Sequence, residues 1–405
     1  MEHYDTDHNH VLDENELARA RADLGPLVAM LGFALTQGTL PGEYRDKLLA
    51  TDPELLSLLL LLSPESFPPD FMVTAVKRVL DGGDFEAKMR ALDALGQNPQ
   101  ASLELLKHPE NLRAIQVYIR GENDGTNRGV QLVARIFESG LAAADPGSPD
   151  QQLALGNIIR WVSANTGMRS PIGQPINNVL ARALGPYMPY LADCGRQLTG
   201  NPPGGAKPPL PVTPEELRTF LGAVFEDAEA REIFNEELGR YIDAHNPLNN
   251  VDEDTTFGGS GEFVDRADAI GGLLSLALLA QESAHLSAQE RKQFVLDLYT
   301  RSVLSSMRFV AKIPGPSMVI GSVAVNLAME GRKRLEAELQ KGVDPKRPTV
   351  EANRLIAILT ADIDQQLTAA GVTDPRQREA MAKLVTRVYK GEMYDALVLI
   401  IQHQK

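Results

Sequence analysis

Residues Thr213 to Tyr241 read TPEELRTFLGAVFEDAEAREIFNEELGRY, and this stretch decides the fold class. Thr213, Pro214 and Glu216 have the spacing of a capping box with proline at the first helical position. Leu217, Phe220, Leu221, Val224 and Phe225 then recur at three- and four-residue intervals, as do Ile233, Phe234, Leu238 and Ile242. Side chains so spaced share one face of an α-helix, so the stretch predicts two amphipathic helices in succession.

The same signals extend in both directions. Leu384, Val385, Val388, Leu397, Ile400 and Ile401 repeat the helical spacing. Asp52-Pro53, Asn98-Pro99, Ser148-Pro149 and Asp374-Pro375 pair a polar cap with a first-turn proline, and Ser148 with Gln151 and Ser287 with Glu290 add capping-box spacing. Gly121, Gly140, Gly342 and Gly371 read as helix stops. Period-two runs are scarce and aromatic residues make up only 5%, which disfavours a β protein. The expectation is all-α, with more than a dozen helices in a large orthogonal or bundle-like arrangement joined by long Pro/Gly-rich loops.

Two loops interrupt that pattern. Gly200 to Pro214 (GNPPGGAKPPLPVTP) is either a linker between domains or a surface loop crossing one domain, and Asn246 to Gly261 is a second long polar loop. The organisation expected is an N-terminal half-hand with its exit helix at 1–35, a large helical domain at 36–342, and a C-terminal helical hairpin at 343–405. No fixed-period repeat points to a solenoid.

One motif carries recognisable chemistry. Residues Asp5 to Glu16 read DTDHNHVLDENE, the spacing of an EF-hand calcium loop. Asp5, Asp7 and Asn9 occupy the first, third and fifth positions, and Val11 offers its carbonyl at the seventh. Asp13 stands at the ninth, acting through water, and Glu16 at the twelfth supplies a bidentate carboxylate. Calcium is therefore the expected cofactor, because a hard cation wants six to eight oxygens at this reach. His10 replaces the glycine favoured at the sixth position, at a cost of ~1 kcal/mol. Only four residues precede Asp5, the pattern of a hand cut from a longer protein. The competing reading is an acidic tail in which Asp13 merely caps the following helix.

Other chemistry is not signalled. There is no HExxH, GxSxG or GxxxxGK[ST] pattern. The histidines are dispersed except for His3, His8 and His10, which read as part of a solvated tail. Asp252-Glu253-Asp254 reads as a solvated loop, and Gly258 to Gly261 lacks the lysine of a phosphate cradle. Cys194 and Trp161 are expected in the core. A formal charge of −14 repels nucleic acid, leaving a protein as the expected partner. The apolar stretches Leu55–Ser63, Ala269–Gln281 and Ile313–Met329 are too short or too interrupted to span a bilayer, and read as buried helices.

Leu92 to Leu112 (LDALGQNPQASLELLKHPENL) resembles a large helical domain of actinobacterial proteins. The resemblance continues through Met188–Asp193 (MPYLAD), Gly200–Pro214, Thr213–Tyr241 and Ile313–Met329, covering roughly residues 40 to 340. Proteins of that kind often carry a WXG-type hairpin, the hallmark of the ESX or type VII secretion route. Trp161-Val162-Ser163 is not such a turn, and Tyr118 with Glu122 has the YxxxE export spacing only on a mid-chain helix. The resemblance implies no catalytic residues; it implies export without a signal peptide. The expected function is a non-catalytic helical scaffold or interaction domain of an exported protein with one calcium loop. The alternatives are a membrane-active, toxin-type protein whose apolar helices leave the core, and an enzyme with an unrecognised site.

Overall fold

The structure is a computed structural model that describes residues 13–119, 127–165, 174–200, 209–244, 261–284, 286–308, 329, 331–342, 344 and 346–360, with scattered positions beyond. Every regular element among them is helical and none is a strand, so the chain is all-α. The chain folds as two compact units, Met1–Leu180 and Ala181–Lys405. The division falls inside a helix rather than at a Pro/Gly-rich stretch.

The first unit begins with α1 (Glu14–Thr36) and α2 (Gly42–Leu49), followed by α3 (Pro53–Leu62), α4 (Pro69–Gly82), α5 (Phe85–Gly96) and α6 (Pro99–Leu106). Short α7 (Pro109–Ala114) and α8 (Gln116–Ile119) lead to α9 (Arg128–Ala142) and α10 (Pro149–Ala164). Helices α3, α4, α5, α6 and α9 pack against one another around Leu56, Leu60, Phe71, Met72, Val76, Met89, Leu92, Leu105 and Phe137. In the leucine run of α3, Leu56, Leu60, Leu61 and Leu62 are buried while Leu55 at its start is exposed, and Trp161 on α10 is buried as expected. Arg21 ties α1 to this core by donating twice to the Leu61 carbonyl, at 3.2 and 3.0 Å, and once to Gln97.

The expected caps form where local chemistry decides them. Asp52 accepts from the Glu54 and Leu55 amides, Asn98 from Ala101 and Ser148 from Gln151. At Ser148 the box is not reciprocal, because the Gln151 side chain accepts from the Gly147 amide instead. Gly140 corrects the reading of helix stops, since it lies within α9. A Cβ there would stand 2.9 Å from the Leu103 nitrogen of α6, so glycine serves close helix packing at this point. Gly342 does end a helix, at φ 81°. Asp374, Gly121 and Gly371 lie outside the described residues.

The second unit is built on α15 (Gly261–Ser283). From Ile270 to Gln281 every residue of that helix is buried, so its apolar character on all sides belongs to a central core helix. Helix α11 (Gln174–Ala183) spans the division; α12 (Met188–Leu198) and α13 (Pro214–Val224) pack on α15. Helices α14 (Ala228–Ala244) and α16 (Ala288–Arg308) pair with each other, and α17 (residues 331–340) and α18 (Pro348–Thr360) follow. Phe225 packs between α14 and α16, with its ring centroid 5.0 Å from Phe234 and 4.9 Å from Phe294. Helices α12 and α13, which precede and follow the Gly200–Pro214 stretch, belong to one unit and touch. The end of that stretch is anchored by Leu210 and Val212, which are buried, and by the Tyr190 hydroxyl donating to the Val212 carbonyl at 2.8 Å.

No helix among the described residues is long and apolar enough to cross a membrane. Most of Ile313–Met329, the Asn246–Gly261 loop and the region beyond 360 lie outside those residues.

Cys194, in α12, is fully buried, and burial pushes its thiol up to about 11. The thiolate is the reactive form. The folded protein is therefore expected to resist a disulfide reagent at pH 8, and full modification is expected only after denaturant is added. Rapid native labelling would contradict the packing of α12 on α15.

Candidate functional site

Of the six calcium ligands expected from the sequence, Asp5, Asp7, Asn9 and Val11 lie outside the described residues. Asp13 and Glu16 are described, and they meet at the start of α1. The Asp13 carboxylate accepts from the Glu16 amide at 2.8 Å, and Glu16 Oε2 accepts from the Asp13 amide at 3.0 Å. The two side chains thus close a reciprocal capping box. Asp13 is exposed, whereas Glu16 is only 3% exposed.

This arrangement follows from the spacing of the two residues. A cap and its third helical residue are three positions apart, as are the ninth and twelfth positions of an EF-hand loop. The helical amides left unpaired at this end carry partial positive charge and favour an ionised carboxylate. Glu16 is therefore held by its own backbone at the first turn of α1. Carboxylate oxygens of this kind are the hard donors that calcium takes, and here one oxygen of Glu16 is already engaged by the Asp13 amide. The same box also serves the simpler capping role. Among the described residues, no group of three or more histidine, cysteine, aspartate or glutamate side chains is arranged to hold a metal.

Beyond its first turns, α1 turns large apolar side chains outward. Leu27, Met30 and Phe33 are 63%, 70% and 65% exposed at three-residue spacing.

The sequence reading missed two clefts. In the first unit, a cavity of about 520 Å³ lies between the end of α1, α2 and the start of α4. Phe67 and Phe71 line it, stacked at 5.6 Å, and the Arg45–Asp70 ion pair at 2.7 Å stands among its walls. Partial burial pushes the Asp70 carboxyl up, but the hydrogen bond and charge of Arg45 outweigh it and hold the group below the usual carboxylate range. In the second unit, a cavity of about 710 Å³ lies between α14, α16 and Arg332 of α17. On α14 its lining follows the helical repeat through Arg231, Asn235, Gly239 and Asp243. That polar stripe was legible in the sequence, but the apolar face of the same helix drew the reading.

The remaining candidates add no second centre. Among the described residues the histidines are represented by His108, whose Nε2 lies 2.9 Å from Glu104 in a surface network with Lys107. Asp252–Asp254 and Gly258–Ser260 lie outside the described residues. No protein-family model, no curated protein and no solved structure matches the chain.

Proposed function

We propose that this protein is a non-catalytic helical interaction scaffold whose N-terminal Asp5–Glu16 loop binds one calcium ion. The observation that carries this reading is the Asp13–Glu16 lock. It joins Asp13, the cap of α1, to Glu16 in the first turn, with the acidic head of Glu16 held near that cap, and this supports reading them as the ninth and twelfth loop positions. Asp5, Asp7, Asn9 and the Val11 carbonyl complete the ligand set that the spacing supplies. The exposed Leu27, Met30 and Phe33 of that exit helix support a protein as the partner. Export by a type VII route rests on the resemblance over residues 40 to 340. A millimolar extracellular ion would occupy even a site with a dissociation constant of roughly 10⁻⁴ M.

Calorimetric titration of calcium into the protein and into Glu16→Gln tests the site. Glutamine is itself a capping-box residue, so the substitution keeps the box and removes the charge. We expect one saturable site in the parent and loss of binding in the variant, with unchanged thermal stability without calcium. Equal heats in both would remove the site.

A further inference from the structure

We propose that Met30 is a methionine oxidation site, at which hydrogen peroxide switches the outward face of α1 from apolar to polar and leaves the core intact. The described methionine side chains fall into two groups. Met72 and Met89 are wholly buried and Met188 is 1% exposed, whereas Met329 is 46% and Met30 70% exposed. Met30 also stands where its oxidation has a consequence. It lies midway between the exposed Leu27 and Phe33, and no charged residue occurs from Leu24 to Gly42. The inner side of α1 carries Val28 and Gly32, which are buried. Each is two residues from Met30, about 160° round the helix, so the thioether lies away from the core packing.

The reaction is a two-electron oxygen transfer. A lone pair of the thioether sulfur attacks one peroxide oxygen, an S–O bond forms and the O–O bond breaks. The departing hydroxide takes the proton of the newly bound oxygen and leaves as water, so sulfur is oxidised and peroxide reduced. The sulfoxide is a polar hydrogen-bond acceptor. In the core that oxygen would be left without a donor, at Met72, Met89 or Met188 alike, and packing would suffer. At Met30 water supplies the donors, so the same chemistry changes only the surface. Methionine sulfoxide reductases return the thioether, which makes the change reversible. Its effect on a protein partner rests on the reading of this helix face as a contact; the oxidation itself does not.

Timed exposure of the full chain to hydrogen peroxide, native and denatured, followed by peptide mass mapping, tests the site. We expect Met30 to oxidise about as fast in the native protein as in the denatured one, and Met72, Met89 and Met188 to be slowed roughly tenfold or more by folding. Oxidised parent is expected to lose more retention on a phenyl matrix than oxidised Met30→Leu, which keeps an apolar side chain and carries no sulfur. The unfolding transition seen by Trp161 is expected to stay in place. The proposal is overturned if folding protects Met30 as strongly as the buried methionines, if parent and Met30→Leu shift equally on the phenyl matrix, or if oxidation at Met30 abolishes the Trp161 transition. None of these readouts uses calcium or a partner, so this proposal and the scaffold reading fail separately.

Discussion

Gly195→Ala is expected to lower the stability of the second unit by about 3 kcal/mol or more. A methyl group on Gly195 would lie 1.8 Å from the Gly272 carbonyl oxygen, and one on Gly272 would lie 2.4 Å from the Ala192 carbonyl. Each helix thus presses its backbone into the gap left by the other's glycine. The added carbon meets backbone atoms and cannot be absorbed by a rotamer change, so α12 and α15 must move apart along a close-packed seam. The neighbouring Cys194, the protein's single cysteine, reports the result. Its thiol is expected to become reactive at clearly lower denaturant in the variant. Gly42→Ala is the control, because nothing lies within 4 Å of the added carbon, and its midpoint is expected to stay put or rise slightly. An unchanged midpoint for Gly195→Ala would mean that the helices do not cross this closely.

Asn98→Ala is expected to cost the first unit about 3 kcal/mol. Asn98 is only 4% exposed and acts in three directions. Its oxygen accepts from the Ala101 amide at 3.0 Å and so starts α6. Its amide group donates to the Pro64 carbonyl at 2.9 Å and the Phe67 carbonyl at 3.2 Å, fixing the turn between α3 and α4. Alanine removes a cap worth about 1 kcal/mol and leaves two carbonyls short of a donor. The single tryptophan, Trp161, lies in the same unit and is buried, so its emission follows the transition. Asn98→Ser restores only the cap and should recover roughly 1 kcal/mol. Equal stability of Asn98→Ala and the parent would contradict the buried network.

These two positions also mark what a reader of the sequence can and cannot see. Asn98 was legible as a cap because Asn-Pro before an apolar period is a local signal; its two long-range bonds to the α3–α4 turn were not. Thr213 and Ser287 likewise read correctly, each closing its box with a glutamate three residues on. Gly140 read as a stop because glycine commonly ends helices, yet its role is set by the Leu103 nitrogen of another helix, which local pattern cannot show. Ala269–Gln281 read correctly as a core helix because its apolar run was too short for a bilayer. The division at Leu180/Ala181 falls within α11, between Pro175 and Gly185-Pro186, where an unbroken helical period gives no local sign of a boundary. At the candidate site, the three-residue spacing of Asp13 and Glu16 serves a helix cap and an EF-hand loop alike, and the structure shows the cap. The polar stripe of α14 was passed over because periodicity arguments follow apolar residues.

Hydrogen exchange of residues 5–16 with and without calcium tests the central claim most directly. Binding at this loop should slow exchange of its amides and of the first turn of α1 when millimolar calcium is added, and Glu16→Gln should abolish that protection. Exchange across residues 5–16 that is the same with and without the ion would contradict it, leaving the Asp13–Glu16 pair as a helix cap alone.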